Sequence, residues 1–123
     1  MLKGAFLAES LRVGAVIEVP GLMVTRVARA DVSQSVTPAQ PTVWTLLEFE
    51  AADDLADQLA EAFSEALLPE GGWYANFVTG DETLVVFAGR VFRYQRGDTA
   101  RRAEVVEYAL QVGVPEHQTD WGE

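Results

Sequence analysis

Apolar and polar positions change period twice along the chain. Residues 2–8 (LKGAFLA) read as a short strand, and residues 22–31 (LMVTRVARAD), rich in β-branched side chains, as a second. Between them, residues 9–21 fit a helical turn followed by a strand, with Pro20-Gly21 as a turn signal. Residues 32–41 (VSQSVTPAQP) hold two prolines and several small polar residues and read as a flexible surface loop. Residues 42–50 (TVWTLLEFE) predict the next strand. One face carries Val43, Thr45, Leu47 and Phe49; the other carries Thr42, Trp44, Leu46, Glu48 and Glu50, a mixture of apolar and charged groups.

The period then lengthens. Leu55, Leu59, Ala62, Phe63, Ala66 and Leu67 recur at helical spacing over residues 52–68. Asp53 and Asp54 suit the positive end of the helix dipole, and Pro69 with Gly71-Gly72 stops the helix. Three strands follow at 73–79, 83–88 and 90–95, joined by turns at Gly80-Asp81 and Ala88-Gly89. Connections this short force antiparallel neighbours, so the segment predicts a meander. The near-continuous apolar run TLVVF predicts a central strand covered on both faces. A last helix starts at the N-cap Asp98, with Ala103, Val106, Ala109 and Leu110 as its expected buried stripe. Gly113 is placed as a left-handed residue after the helix, Pro115 prevents continuation, and Trp121 is expected to fold back onto the domain.

This order predicts a single α+β domain over 1–123, with a mostly antiparallel sheet and two helices on one face. Residues 42–112 give a β-α-β-β-β-α core related to the ferredoxin-like split, with an N-terminal strand extension and a C-terminal tail at 114–123.

Composition narrows the chemistry. With 123 residues and 49% hydrophobic content, one core is expected without covalent staples. The chain has no cysteine, which removes disulfides, thiolate metal sites and cysteine nucleophiles. Neither a secretory signal nor a transmembrane run is found, so a cytoplasmic location is expected. The net charge of −10 disfavours nucleic acid and anionic membranes as partners.

The segments MLKGAFLAESL, GGWYANF, VVFAGRVFRY and GVPEHQTDW together resemble a family of small uncharacterised bacterial proteins. The resemblance touches both ends and the middle of the chain. It implies a stand-alone bacterial domain and brings no catalytic residue with it.

Charge is unevenly placed. Eight acids and no base lie between Glu48 and Glu70, whereas five arginines and one acid lie between Arg90 and Arg102. Asp53, Asp57, Glu61 and Glu65 fall on one helix face and are the candidate docking surface for a basic protein partner; the competing reading is a solvated face. Carboxylates on one helix cannot surround a cation, so no metal is expected. Arg90, Arg93, Tyr94 and Arg96, with Trp73 and Tyr74, are candidate pocket residues for a phosphate or carboxylate ligand; the competing reading is arginines that neutralise the acidic surface and cover apolar area with their stems.

Catalytic signatures are missing. His117 is the lone histidine, none of the four serines lies in a nucleophile-elbow context, and no phosphate-loop glycine pattern occurs. The sequence therefore favours a non-catalytic interaction or binding domain without a cofactor, and a homodimer. A small-molecule sensor or enzyme with a pocket between sheet and helices is the alternative.

Overall fold

A computed structural model describes residues 1–38 and 40–121. Ala39 of the predicted loop, and Gly122 and Glu123 of the predicted tail, lie outside the described residues. Six strands form one sheet: β1 (Leu2–Leu7), β2 (Met23–Asp31), β3 (Val43–Ala51), β4 (Ala75–Thr79), β5 (Glu82–Phe87) and β6 (Arg90–Gln95). Two α-helices, α1 (Ala56–Ala66) and α2 (Thr99–Gln111), complete the fold. The strand order is β2-β3-β1-β4-β5-β6, and every pairing is antiparallel. The α+β class and the β4-β5-β6 meander expected from the sequence are both present.

The N-terminal strands do not simply extend the core. β1 is inserted in the middle, paired with β3 on one side and β4 on the other. Gly4 makes that position possible. It lies opposite both Phe49 and Phe77, and a Cβ on Gly4 would sit 2.3 Å from the Phe77 Cβ and 2.5 Å from the Asn76 carbonyl oxygen. The absent side chain leaves the Phe49 and Phe77 rings in edge contact, with centroids 6.1 Å apart.

The helices do not share a face. Leu59 and Phe63 of α1 pack with Leu2, Phe6, Phe49, Phe77, Leu84 and Val86. Val105 and Ala109 of α2 pack with Val85, Phe87, Phe92 and Tyr94. Since consecutive side chains on a strand point to opposite faces, Leu84 and Val86 face α1 while Val85 and Phe87 face α2. This corrects the expected one-face arrangement. It also explains the apolar run of β5, which needs cover on both sides.

The α2 stripe is corrected too. Val105 and Ala109 are buried, Val106 is half-buried, and Ala103 and Leu110 are exposed. The helix is rotated so that Tyr108 sits against Phe87 and Phe92, with centroids 5.0 and 5.1 Å away. Its ends follow the expectation. The Asp98 side chain accepts a 3.0 Å bond from the Arg101 N–H. Beyond the C-terminus, Gly113 has φ of 97°, and the Val114 N–H reaches back to the Ala109 carbonyl at 2.9 Å.

A carboxylate prolongs the β1–β3 ladder where β1 stops. Glu9 accepts the Thr45 backbone N–H at 2.6 Å and the Thr45 hydroxyl at 2.8 Å. Burial pushes the Glu9 carboxyl up, but the bonds from Thr45 and the charge of Arg29 outweigh it and bring the group below the ordinary carboxylate range. A carboxyl depressed in the fold stabilises it above the unfolded value, and that contribution disappears as pH falls through the folded value. Glu9→Gln is therefore expected to lower stability at neutral pH by under about 1 kcal/mol, after discounting for solvent. Urea midpoints of parent and variant should converge in acid. A gap that persists at low pH contradicts this account.

Candidate functional site

α1 and the segment before β2, through Leu11, Ile17, Val19 and Leu22, cover one face of the sheet. On the other face α2 covers β5 and β6, and among the described residues no α-helix lies over β4, β1, β3 and β2. The face there is the mixed one of the sequence pattern. Lys3 pairs with Glu50 at 3.4 Å and Arg26 with Glu48 at 2.8 Å. Each pair lies directly across a strand boundary.

Between these charges and the C-terminal tail is an apolar cleft of about 170 Å3, lined by Ala5, Leu7, Trp44, Leu46, Trp73, Tyr74, Asn76 and Gln118 among others. Trp44 and Trp73 meet with centroids 5.7 Å apart and a 59° tilt. The Trp44 indole N–H donates to the Pro41 carbonyl at 3.0 Å, which fixes the ring. Tyr74 donates its hydroxyl to the Gln118 carbonyl at 2.5 Å and meets Trp121 edge-on at 5.0 Å. Trp121 is thus folded back, as the sequence predicts. Burial first, and the Asp120 charge second, push the Tyr74 phenol well above its ordinary value, so it stays protonated. Asn76 adds a half-buried side-chain amide to the cleft wall.

Side-chain amides anchor the tail and the 32–41 loop. Gln118 donates from Nε2 to the Ser35 carbonyl at 2.6 Å and to Gln40 Oε1 at 3.3 Å. Gln40 is buried and donates to the Gly71 carbonyl at 2.9 Å. His117 Nε2 lies 2.7 Å from the same Ser35 oxygen, which places the lone histidine in tail anchoring.

The sequence-predicted residues separate. Trp73 and Tyr74 line the cleft. Tyr94 is buried in the core against α2. Arg93 bridges Asp57 of α1 and, at 2.6 Å, Glu82 of β5, and so lies on the α1 side of the sheet. Arg90 stacks on Phe92 and Tyr108, 4.8 and 5.0 Å from the ring centroids. Arg96 is exposed after β6, with its backbone N–H on the Asp81 carbonyl at 2.6 Å. The four arginine and tyrosine candidates therefore do not converge on one pocket.

The acidic row is divided as well. Asp53 pairs with the N-terminal amine at 3.3 Å and Asp57 with Arg93, while Glu61 and Glu65 line an open trough of about 410 Å3 with Arg12, Glu18 and Val16. The Arg12 side chain donates to the Glu65 carbonyl at 2.9 Å. Among the described residues no group of three or more His, Asp or Glu side chains could hold a metal ion, and no helix is long and apolar enough to cross a membrane.

Sequence reasoning missed Trp44, Asn76 and Gln118. The signal for Trp44 was available: Trp44 and Leu46 share a strand face with Glu48 and Glu50, a pattern that a fully covered face does not tolerate. No family model, no curated protein and no solved structure matches the chain.

Proposed function

We propose that this chain is a non-catalytic protein-interaction domain that receives one apolar side chain of a partner in the Trp44–Trp73 cleft. Volume carries this reading. The cleft measures about 170 Å3, whereas pockets for small ligands and cofactors hold roughly 300–1,000 Å3. The space suits a single anchoring side chain, and aromatic-walled pockets of that size are where interface energy concentrates. The acidic trough is larger, but it is open and carries three carboxylates, unlike the mostly apolar walls of a ligand pocket. A sensor or enzyme built on Arg93 and Tyr94 loses its support, because one is bound to two carboxylates and the other is core.

The partner is proposed to be basic. At net charge −10, long-range attraction speeds encounter with a cationic surface, and the effect fades as salt rises. The absence of cysteine and the mixed-charge surface suit a cytoplasmic setting, and the family resemblance supports a bacterial one.

The test is selection of random peptides on the immobilised protein, followed by NMR titration. Peptides with an aromatic or aliphatic anchor and basic flanks should be enriched and should shift the Trp44 indole and Asn76 side-chain signals. Trp44→Ala is expected to weaken binding by about 2 kcal/mol, roughly 30-fold. Equal enrichment on the Trp44→Ala protein, or shifts confined to the α1 side, overturns the reading.

A further inference from the structure

The two edges of the sheet are treated differently. At the β6 edge, Arg101 of α2 reaches back to the Arg93 carbonyl at 3.4 Å. Among the described residues the β2 edge has no such cover: eight of its nine residues are exposed. An uncovered edge strand is a template for another strand.

The backbone groups that β2 offers can be identified. The Val32 N–H bonds the Thr42 carbonyl at 2.8 Å, in continuation of the β2–β3 register. In an antiparallel ladder, hydrogen-bonded and non-hydrogen-bonded pairs alternate. Ala30 and Ala28 therefore bond inward to β3, and Asp31, Arg29 and Val27 direct their N–H and C=O groups outward. The Glu9 contact agrees: the N–H of Thr45, which lies opposite Arg29, points away from β2. A bulge between Val24 and Arg26 limits the regular edge to the stretch after it.

We infer that this edge pairs with a second copy of the chain, β2 antiparallel to β2, about a twofold axis at Ala30. Charge selects the register. An axis at Arg29 sets two guanidinium groups face to face. An axis at Ala28 places Arg29 opposite Val27 and carries the pairing into the bulge. An axis at Ala30 sets Arg29 of each copy directly opposite Asp31 of the other, on the same face, so two opposite-charge pairs form by symmetry. Each group has atoms to spare. Arg29 donates from one terminal nitrogen to Thr45, at 3.1 Å, and Asp31 accepts the Ser33 N–H with one oxygen, at 3.0 Å. Ala30, exposed and small, admits close approach at the axis.

Two independent experiments test the proposal. In the first, a cysteine is placed at the axis of a chain that otherwise has none. The non-hydrogen-bonded pair at Ala30 brings Cα atoms to about 4.5 Å, within disulfide reach, whereas Ala28 residues would be offset by four positions, roughly 13 Å. Ala30→Cys should form a disulfide dimer under mild oxidation and Ala28→Cys should not. Equal cross-linking of both, or of neither, overturns the register. In the second, sedimentation at tens of micromolar should show a dimer, with Arg29→Asp weakening it at least about tenfold and the exchanged pair Arg29→Asp with Asp31→Arg restoring it. A monomeric parent protein, or a charge exchange that fails to restore what Arg29→Asp removes, overturns the dimer. Neither outcome depends on the Trp44–Trp73 cleft.

Discussion

Phe63→Ala is expected to be the most damaging single truncation, lowering the unfolding free energy by about 3–5 kcal/mol. Phe63 is fully buried and meets Phe6 and Phe49 with ring centroids 5.0 and 5.5 Å away. It comes from α1, the one α-helix over its face of the sheet among the described residues, so closing the resulting void requires the helix to move. A domain of this size has roughly 5–15 kcal/mol in total, and the loss is thus a large fraction. Denaturant unfolding of parent and variant checks it. A change under 1 kcal/mol would mean that α1 repacks freely, contrary to the close packing described. Leu110→Ala makes the contrast: Leu110 is exposed, and its change should stay within about 0.5 kcal/mol.

Gly4→Ala should cost about 1–3 kcal/mol or more, although it adds only a methyl group. The new carbon would fall 2.3 Å from the Phe77 Cβ, 2.5 Å from the Asn76 oxygen and 2.8 Å from the Phe77 Cα. Two of these three atoms are backbone, and the third is fixed to it. Relief therefore requires β1 and β4 to separate, which strains ladder hydrogen bonds rather than a flexible side chain. Amide exchange should accelerate first at the β1–β4 boundary. An unchanged thermal midpoint together with unchanged protection there would refute the close approach.

Local features were readable from the sequence and relational ones were not. The meander followed from turns two residues long, α1 from its 3.6 period, and the α2 start from Asp98. The insertion of β1 was hidden because its partners, Ala51 for Leu2 and Val78 for Lys3, lie far along the chain. The opposite placement of the helices was implicit in the apolar run of β5, yet it needed the register to become visible. The acidic run is relational in the same way. It contains no base, but Glu48, Glu50 and Asp57 take theirs from Arg26, Lys3 and Arg93, and Asp53 from the N-terminal amine. Of the candidate site, Trp73 and Tyr74 were legible as aromatics beside a glycine pair. Asn76 and Gln118 have no local signature, since an amide's role depends on what surrounds it.

The insertion of β1 between β3 and β4 also governs how the molecule comes together and apart. The β2–β3 hairpin and the β4-β5-β6 meander can each form from neighbouring segments. Among the described residues neither supplies a strand partner to the other except through β1. The strand is thus a keystone: it precedes both flanks in the chain, yet is paired on both sides only once both exist. Its contacts span large sequence separations, which slows folding through loop-closure entropy. Once seated, it makes the two halves interdependent, since a loss on either side leaves β1 half-paired and opens the other. The two hydrophobic clusters should consequently melt as a single cooperative unit.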